Sequence, residues 1–245
     1  MENPYETDKL LGEYLHFHYG NENEVMPWSF GPKNGLNFAI RSVSELLDNA
    51  SLNVSQKTSA LDVGCAVGRS TFELAKHCDE VRGCDLSNAF IKAAELILSG
   101  GALSYDYLEE GDSYNNSTIT FNNQNENISF FVADACDLPT DLPAFDVVHA
   151  ANLICRLPNP LDFINRLPEL VIKGGQLLLA TPFTWLEEFT PRENWIGSGN
   201  SEEKLAELLH PYFKLERKVE LPFLIREHRR KYQYSVSFGS RWRRV

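Results

Sequence analysis

The chain has 245 residues, 43% of them hydrophobic and 11% aromatic, with a formal net charge of −11. That apolar content excludes a disordered chain, and the length suits one α/β domain with an added cap rather than two ordinary domains. The acidic balance argues against a general nucleic-acid binder, whose affinity rests on neutralising phosphates with lysine and arginine, so the expected partner is a small molecule.

Taken in chain order, residues 4–19 read as an aromatic-rich helix, with Leu11, Tyr14, Leu15 and His18 at helical spacing. A loop around Met26-Pro27-Trp28 and Gly31-Pro32 leads to a second helix over 35–48. Strands and helices then alternate: strand 60–65, helix 69–77, strand 80–85, helix 88–99, strand 128–133, strand 145–150, helix 162–171 and strand 176–180. Alternation of this kind predicts a parallel sheet with helices on both faces. Residues 214–223 and 231–242 follow as two strands with no helix between them, an antiparallel pair at the sheet edge. Residues 105–127, crowded with Asn, Asp, Glu, Ser and Gly, interrupt the scheme and are expected to form a long exposed excursion, either functional or disordered. The basic tail, from Arg226 to Lys231 with Arg241, Arg243 and Arg244, is expected to be a solvated charged edge. No apolar run approaches membrane-spanning length and residues 1–8 lack a basic-then-apolar leader, so a cytoplasmic protein with no membrane partner is expected. Five scattered cysteines, Cys65, Cys78, Cys84, Cys136 and Cys155, read as small buried residues, and the six histidines show no ligand spacing, so no metal is expected.

The chemistry concentrates where the first strand breaks into Asp62-Val63-Gly64-Cys65-Ala66-Val67-Gly68-Arg69. Two glycines four apart let a backbone approach a ligand closely, and the following helix aims free N–H groups into the same space; tight packing alone would use them equally well. The Gly-x-Gly-x-x-Gly fingerprint of dinucleotide binders is absent, and Asp62 would repel a phosphate yet suit a sulfonium or ammonium. Ligands of open α/β sheets sit at the carboxyl ends of strands, which makes the residues there the ones to read. Asp85, before Leu86, can accept two ribose hydroxyls, and Asp134, before Ala135, can accept an adenine amine; each is equally a cap or turn residue taken singly. His149, Ala150 and Asn152 end the next strand and are expected to face the transferred group. Three acids at successive strand ends favour S-adenosylmethionine as cofactor.

This pattern resembles the class I S-adenosylmethionine-dependent methyltransferases over residues 61–180, with residues 61–68 standing for their first motif and Asp85 for their second. The resemblance implies a Rossmann-like α/β fold: a seven-stranded, mostly parallel sheet with a reversed last strand, helices on both faces, and an N-terminal helical cap. Residues 1–50 would be that cap over the active site, and 51–245 the catalytic domain with the 105–127 insertion. A closer likeness covers Tyr5-Glu6-Thr7-Asp8-Lys9, Phe17-His18-Tyr19-Gly20, residues 150–158, residues 184–191 and residues 222–228, which resemble the methyltransferase part of ovothiol-synthesis enzymes. That part is often fused behind an iron-dependent sulfoxide synthase, which is absent here, so the chain reads as a stand-alone form or an excised domain. The likeness implies methylation of the side-chain-proximal imidazole nitrogen of 5-thiohistidine to give ovothiol A, and a functional pairing with a sulfoxide synthase. Two readings compete with it: a methyltransferase for another small thiol or imidazole metabolite, and a non-catalytic S-adenosylmethionine-binding partner of such a synthase.

Methyl transfer from a sulfonium is an in-line displacement, so alignment and water exclusion matter more than a strong base. Glu187 or His149 could still fix the imidazole tautomer or take the later proton, with Asn152 beside them. Arg156 or Arg226 is the candidate for the substrate carboxylate, and Glu187 or Glu188 for its ammonium. Trp185, Phe189 and His18 complete the expected substrate pocket. Cys65, Arg69, Tyr14 and Arg41 join the strand-end residues as expected cofactor contacts, Tyr14 as a wall beside the sulfonium and Arg41 as a rival for the methionine carboxylate.

Overall fold

The computed structural model describes residues 4–52, 56–120 and 127–245. A 3-10 turn at Pro4–Glu6 leads into α1 (Asp8–Tyr19), which starts where the Thr7 side chain accepts a hydrogen bond from the Leu10 amide. A single turn, α2 (Glu22–Val25), is capped in the same way by Asn21, and α3 (Phe38–Ser44) follows. The helix expected over 35–48 is therefore shorter, because Asn37 takes a left-handed conformation, φ 57°, that begins the helix only at Phe38.

The alternating region folds as β1 (Ser59–Val63), α4 (Arg69–Leu74), β2 (Glu80–Asp85) and α5 (Asn88–Leu98), then β3 (Leu103–Glu110), β4 (Ser113–Ile119), β5 (Ile128–Val132) and β6 (Phe145–Ala151). It ends in α6 (Pro160–Leu170), β7 (Val171–Thr181), α7 (Ser201–Leu209), β8 (Phe213–His228) and β9 (Lys231–Arg244). Seven strands form one sheet in the order β5-β2-β1-β6-β7-β9-β8. The first five are parallel, and β9 runs antiparallel to both neighbours, so the last strand in sequence is the reversed one and lies between β7 and β8. From β1 the chain winds outward through β2 to β5 and then returns to add β6 on the other side. The β1–β6 seam is thus the point of reversal, where a crevice opens at the carboxyl ends.

Two apolar layers hold the sheet. One face packs Leu15, Val43, Phe72, Phe90 and Ile97 from α1, α3, α4 and α5, and the other packs Phe163, Leu167, Leu205 and Trp242 from α6, α7 and β9. Helix α7 had no counterpart in the sequence reading: its buried residues, Leu205 and Leu209, are one helical turn apart in an otherwise charged segment.

The stretch expected to be an irregular excursion is mostly an antiparallel hairpin, β3 paired with β4 from Leu103↔Ile119 to Glu110↔Ser113; its residues 121–126 lie outside the described residues. Alternation explains β3: Tyr105 and Tyr107 face the core, as Ile119 of β4 does, while Ser104, Asp106 and Asn116 face out; Ser117 and Asn115 stand opposite the two tyrosines on the inner face. The hairpin clamps α1 from behind. Tyr107 stacks on His16 with ring centroids 4.1 Å apart, and a Cβ at Gly12 would collide with the Asp106 carbonyl, so the helix needs glycine there.

Arg226, expected at the substrate, belongs to this joint instead. It is only 6% exposed, donates to the Glu24 carbonyl and to Glu109, and lies 5.0 Å over the Tyr107 ring. The rest of the basic tail is also knitted in: Arg243 reaches Glu216 at 2.9 Å and Asp48 at 3.2 Å, and Arg241 reaches Glu216 at 3.2 Å. All five cysteines are free. Removing one partner of a buried ion pair leaves the other charge uncompensated, and Glu109, which keeps Arg229, softens that penalty. Arg226→Ala is expected to lower stability by about 2–3 kcal/mol in urea unfolding; a change below 1 kcal/mol, with the substrate Michaelis constant raised, would return Arg226 to the acceptor site.

Candidate functional site

Beneath the β1–α4 turn lies a closed polar network. The Asp62 carboxylate accepts from Ser70 Oγ and Thr71 Oγ1, each at 2.7 Å, and from His149 Nδ1 at 2.7 Å. The other ring nitrogen of His149 shares a hydrogen bond of 3.0 Å with Ser42 Oγ. Asp62 and His149 are both 1% exposed. Burial alone would raise the Asp62 pKa, but the adjacent imidazole and the donated hydrogen bonds outweigh it and hold the carboxyl below its usual range. These contacts correct two expectations. Asp62 meets core hydroxyls and an imidazole in place of a sulfonium, and His149 has both nitrogens engaged below the sheet edge instead of facing a transferred group. They act on the site by fixing the turn above them.

That turn carries three left-handed residues, Gly64 (φ 72°), Ala66 (φ 48°) and Gly68 (φ 87°). A Cβ on Gly64 would come within 2.8 Å of Leu153 Cδ1, so the glycine lets the loop after β6 close onto the loop after β1. Cys65 is a buried packing residue whose thiol is pushed well up by burial.

Asp85, at the end of β2, has one carboxylate oxygen on the Ala66 amide and the other on the Ser87 amide, each at 2.9 Å. A carboxylate offers about four acceptor positions, so two remain for a ligand. Burial pushes its pKa up to about 6 despite these amides. A shielded carboxyl raised in this way lacks donors, and a vicinal diol supplies two. Leu86 beside it is 53% exposed and presents an apolar face at the mouth. Asp134 holds a turn, one oxygen on the Cys136 amide at 2.8 Å, with the other not used there; Ala135 follows it. Ala150 is buried in β6, so only its backbone can reach a ligand. The residues at these strand ends fit a nucleoside with a ribose diol.

Helix α1 and the segment before it roof this edge. Tyr19 donates to the Val67 carbonyl at 2.8 Å, Arg69 lies 5.6 Å over the Tyr19 ring, and His18 stacks on Tyr14 at 6.0 Å. The His18 Nδ1 is buried without a hydrogen-bond partner, and burial, with Arg69 nearby, lowers its pKa to about 4, so the ring is neutral. Further out, the Tyr5 carbonyl accepts from Ser87 Oγ at 3.0 Å, and Glu6 caps α5 by accepting from the Asn88 amide at 2.7 Å. Tyr5 stacks on Phe189 at 6.3 Å and meets Tyr14 edge-on at 5.8 Å, the two hydroxyls hydrogen-bonded. Arg156 lies 5.0 Å over Phe189 and donates to the Thr184 carbonyl at 2.8 Å. Burial raises the pKa of both tyrosines; the Arg156 cation opposes the rise and the Asp85 carboxylate adds to it, which places the two charges in one neighbourhood.

Five other expected residues stand elsewhere. Glu187 is solvent-facing, its side chain 64% exposed and 3.6 Å from Arg192, and Glu188 is exposed too, so neither carboxylate is enclosed with Arg156. Arg41 braces the fold, donating to Glu45 and to the carbonyls of Asn34 and Pro222. Trp185 donates to Ser201 Oγ and lines a separate groove. Asn152 takes φ 55° at the end of β6, with its carboxamide oxygen accepting from Ser237 Oγ at 2.6 Å, so its side chain serves the β6–β9 junction. Sequence reasoning omitted Tyr5 as a site residue, although it stands in the Tyr5–Lys9 motif; only the fold brings it to Phe189.

Among the described residues no helix is long and apolar enough to cross a membrane, and no three metal-ligating side chains cluster. Residues 61–179 match the family model of a methyltransferase domain. The ubiquinone biosynthesis O-methyltransferase of Coxiella burnetii is 28% identical over 121 residues, 49% of this chain and 42% of that protein. Ajmaline N-methyltransferase of Rauvolfia serpentina is 24% identical over 179 residues, 71% of this chain and 53% of that one. The chain thus spans about half the length, or less, of these curated relatives. The N-methyltransferase NodS of Bradyrhizobium japonicum, solved with S-adenosyl-L-homocysteine, superposes with a TM-score of 0.55 at 15% identity, covering 96% of this chain and 98% of that one. An S-adenosylmethionine-dependent methyltransferase of Methanosarcina mazei gives a TM-score of 0.53 at 17% identity, covering 78% and 94%. Residues 61–179 are thus similar to a methyltransferase domain, and the fold is the one shared by these solved methyltransferases.

Splitting the Asp62–His149 pair would strand a buried charge. His149→Ala is expected to cost about 3 kcal/mol in denaturant unfolding; unchanged stability with methyl transfer abolished would restore His149 to the reacting centre.

Proposed function

We propose that the chain is an S-adenosylmethionine-dependent methyltransferase that methylates the side-chain-proximal imidazole nitrogen of 5-thiohistidine, yielding ovothiol A. The observation that carries the proposal is the meeting of three distant segments at one place. Tyr5 from 5–9, Arg156 from 150–158 and Phe189 from 184–191 pack against one another beside Asp85. These are three of the segments that resemble ovothiol-synthesis methyltransferases, and their chemistry suits a small, flat, anionic amino acid.

In this reading the cofactor supplies an electrophilic methyl carbon on a sulfonium, and the acceptor nitrogen displaces the thioether. Asp85 accepts the ribose hydroxyls, Leu86 lies along the adenine, Asp134 accepts its amine, and the Gly64–Gly68 backbone with the Ala150 carbonyl lines the methionine end. Tyr14 and His18 wall the methyl group from the α1 side. A neutral His18 adds no positive charge beside a sulfonium. Arg156 takes the substrate carboxylate through charge-assisted hydrogen bonds. With Tyr14 donating to Tyr5, the Tyr5 hydroxyl keeps its own proton to hold the sulfur aside, and that restraint is required because a thiolate is the stronger nucleophile. With residues 1–50 as a cap, bulk water is kept from the displacement. The methyl acceptor already carries its carbon–sulfur bond, so a sulfoxide synthase acting earlier is the pairing that this substrate requires.

Purified protein given S-adenosylmethionine is expected to convert 5-thiohistidine to a product one methyl heavier, with histidine a poor substrate, read by mass spectrometry; no turnover with cofactor saturating would refute the assignment. Arg156→Ala should raise the Michaelis constant for 5-thiohistidine about 10- to 100-fold while cofactor affinity changes little, since a charge-assisted hydrogen bond is lost. The pH dependence follows from Asp85. Its raised pKa means that its ionisation opposes folding, a contribution to stability present at low pH and lost as pH rises through about 6. Ribose donors favour the ionised form, so affinity for S-adenosylhomocysteine should fall towards about tenfold per pH unit below that point. Asp85→Asn should be weaker at pH 7.5 and flat across the range; an unchanged profile would make Asp85 a turn residue only.

A further inference from the structure

Between the 182–201 segment and the β8–β9 pair lies an open groove of about 500 Å³. Phe183, Trp185, Trp195 and Phe238 line it, and Phe183 stacks on Phe238 at 5.9 Å with an interplanar angle of 26°. Phe183 holds φ 50°, a left-handed conformation that a bulky residue keeps only where its surroundings enforce it. Both indole N–H groups are engaged inside the protein, Trp185 with Ser201 Oγ at 3.1 Å and Trp195 with the Thr190 carbonyl at 2.8 Å. The rings therefore offer π surface, and the ionisable groups lining the groove are two carboxylates, Glu202 and Glu220. Two cations already use part of this surface: the Lys218 ammonium lies 5.7 Å over the Phe238 ring and is paired with Glu202, and the Arg192 guanidinium lies 5.4 Å over the Trp195 ring.

From this geometry we propose that the groove is a second ligand site, apart from the transfer site, for a small organic cation, an ammonium carried on an apolar body. The ring faces left open attract such a head group, the Glu220 carboxylate lies in the same lining, and the apolar body covers ring surface. A quaternary ammonium suits the groove better than an anion, since the side-chain donors of the lining are neutral, the Asn200 amide, the two indole N–H groups already engaged, and the hydroxyls of Thr181, Ser198 and Ser201. The site touches the transfer site through one loop. Phe183 and Trp185 face the groove, while Thr184 holds Arg156 through its carbonyl and Phe189 lies under the guanidinium. An occupant that fixes the 182–190 loop thereby fixes Arg156. The inference is independent of which acceptor the methyl group goes to.

Trp185 and Trp195 report on the groove directly. The probe is choline, titrated by intrinsic tryptophan fluorescence into protein saturated with S-adenosylhomocysteine, so that the sulfonium pocket is filled. Its neutral isostere, 3,3-dimethylbutan-1-ol, is titrated in parallel. Choline is expected to give a saturable change and to bind about tenfold more tightly than the isostere. Glu220→Gln should weaken choline several-fold. Lys218→Ala, which removes the resident cation from Phe238, should tighten it about threefold, and both positions are exposed, so both variants should fold. Absence of saturation, equal binding of the isostere, or choline affinity unmoved by both substitutions would each overturn the proposal.

Discussion

The Asp62–His149 pair is the interaction on which the rest of this architecture depends. It joins β1 to β6 across the seam where the winding of the sheet reverses, and through Ser70, Thr71 and Ser42 it ties α4 and α3 to the same point. Two groups at 1% exposure are tolerable there because every acceptor on the carboxylate and both nitrogens of the ring are satisfied. The consequence lies one layer up. The glycine turn and the loop after β6 are anchored from below, so Gly64 and Leu153 can approach closely and the carboxyl edge stays a fixed cradle.

Over that cradle the protein builds a roof from parts that are unstable alone. Helix α1 has twelve residues, and little of its stability can come from propensity. It is held between the strand ends and the β3–β4 hairpin, where His16, Tyr107 and Arg226 stack in sequence. The hairpin is polar on its outer face, and on its inner face Asn115 and Ser117 stand opposite Tyr107 and Tyr105. The segment before α1 is fastened separately, by Glu6 on the N-terminus of α5 and by Tyr5 against Phe189, so the roof has a rigid half and a half secured by a few exposed hydrogen bonds.

Charge is distributed to match. Asp62, below, is held ionised by its donors, whereas Asp85, at the mouth, is shielded with acceptor positions to spare and a pKa near 6. The same side chain at two successive strand ends therefore stands in opposite settings: one is complete within the fold, and the other keeps acceptor positions open at the mouth.

Much of this was legible in the residues. The period of the apolar pattern determined the alternating strands and helices, the reversed final strand pair and the strand ends at which to look, because side-chain periodicity is local and the winding rule for parallel sheets is general. The Gly64–Gly68 spacing and Asp85 pointed to the cofactor class for the same reason: motif chemistry is carried within a few residues. The roles of Asp62, His149, Arg41, Arg226, Asn152 and the Glu187–Glu188 pair were not legible, because a charged side chain near a strand end is equally suited to a ligand or to a core partner, and that partner lies up to two hundred residues away. The hairpin within 105–127 was hidden by the polar residues of β4, and helix α7 by having only two buried leucines. The sequence by itself determined the fold class and the kind of cofactor; tertiary structure alone decided which charges are sealed in the core and which face the cleft, since burial and pairing are properties of distant residues brought together.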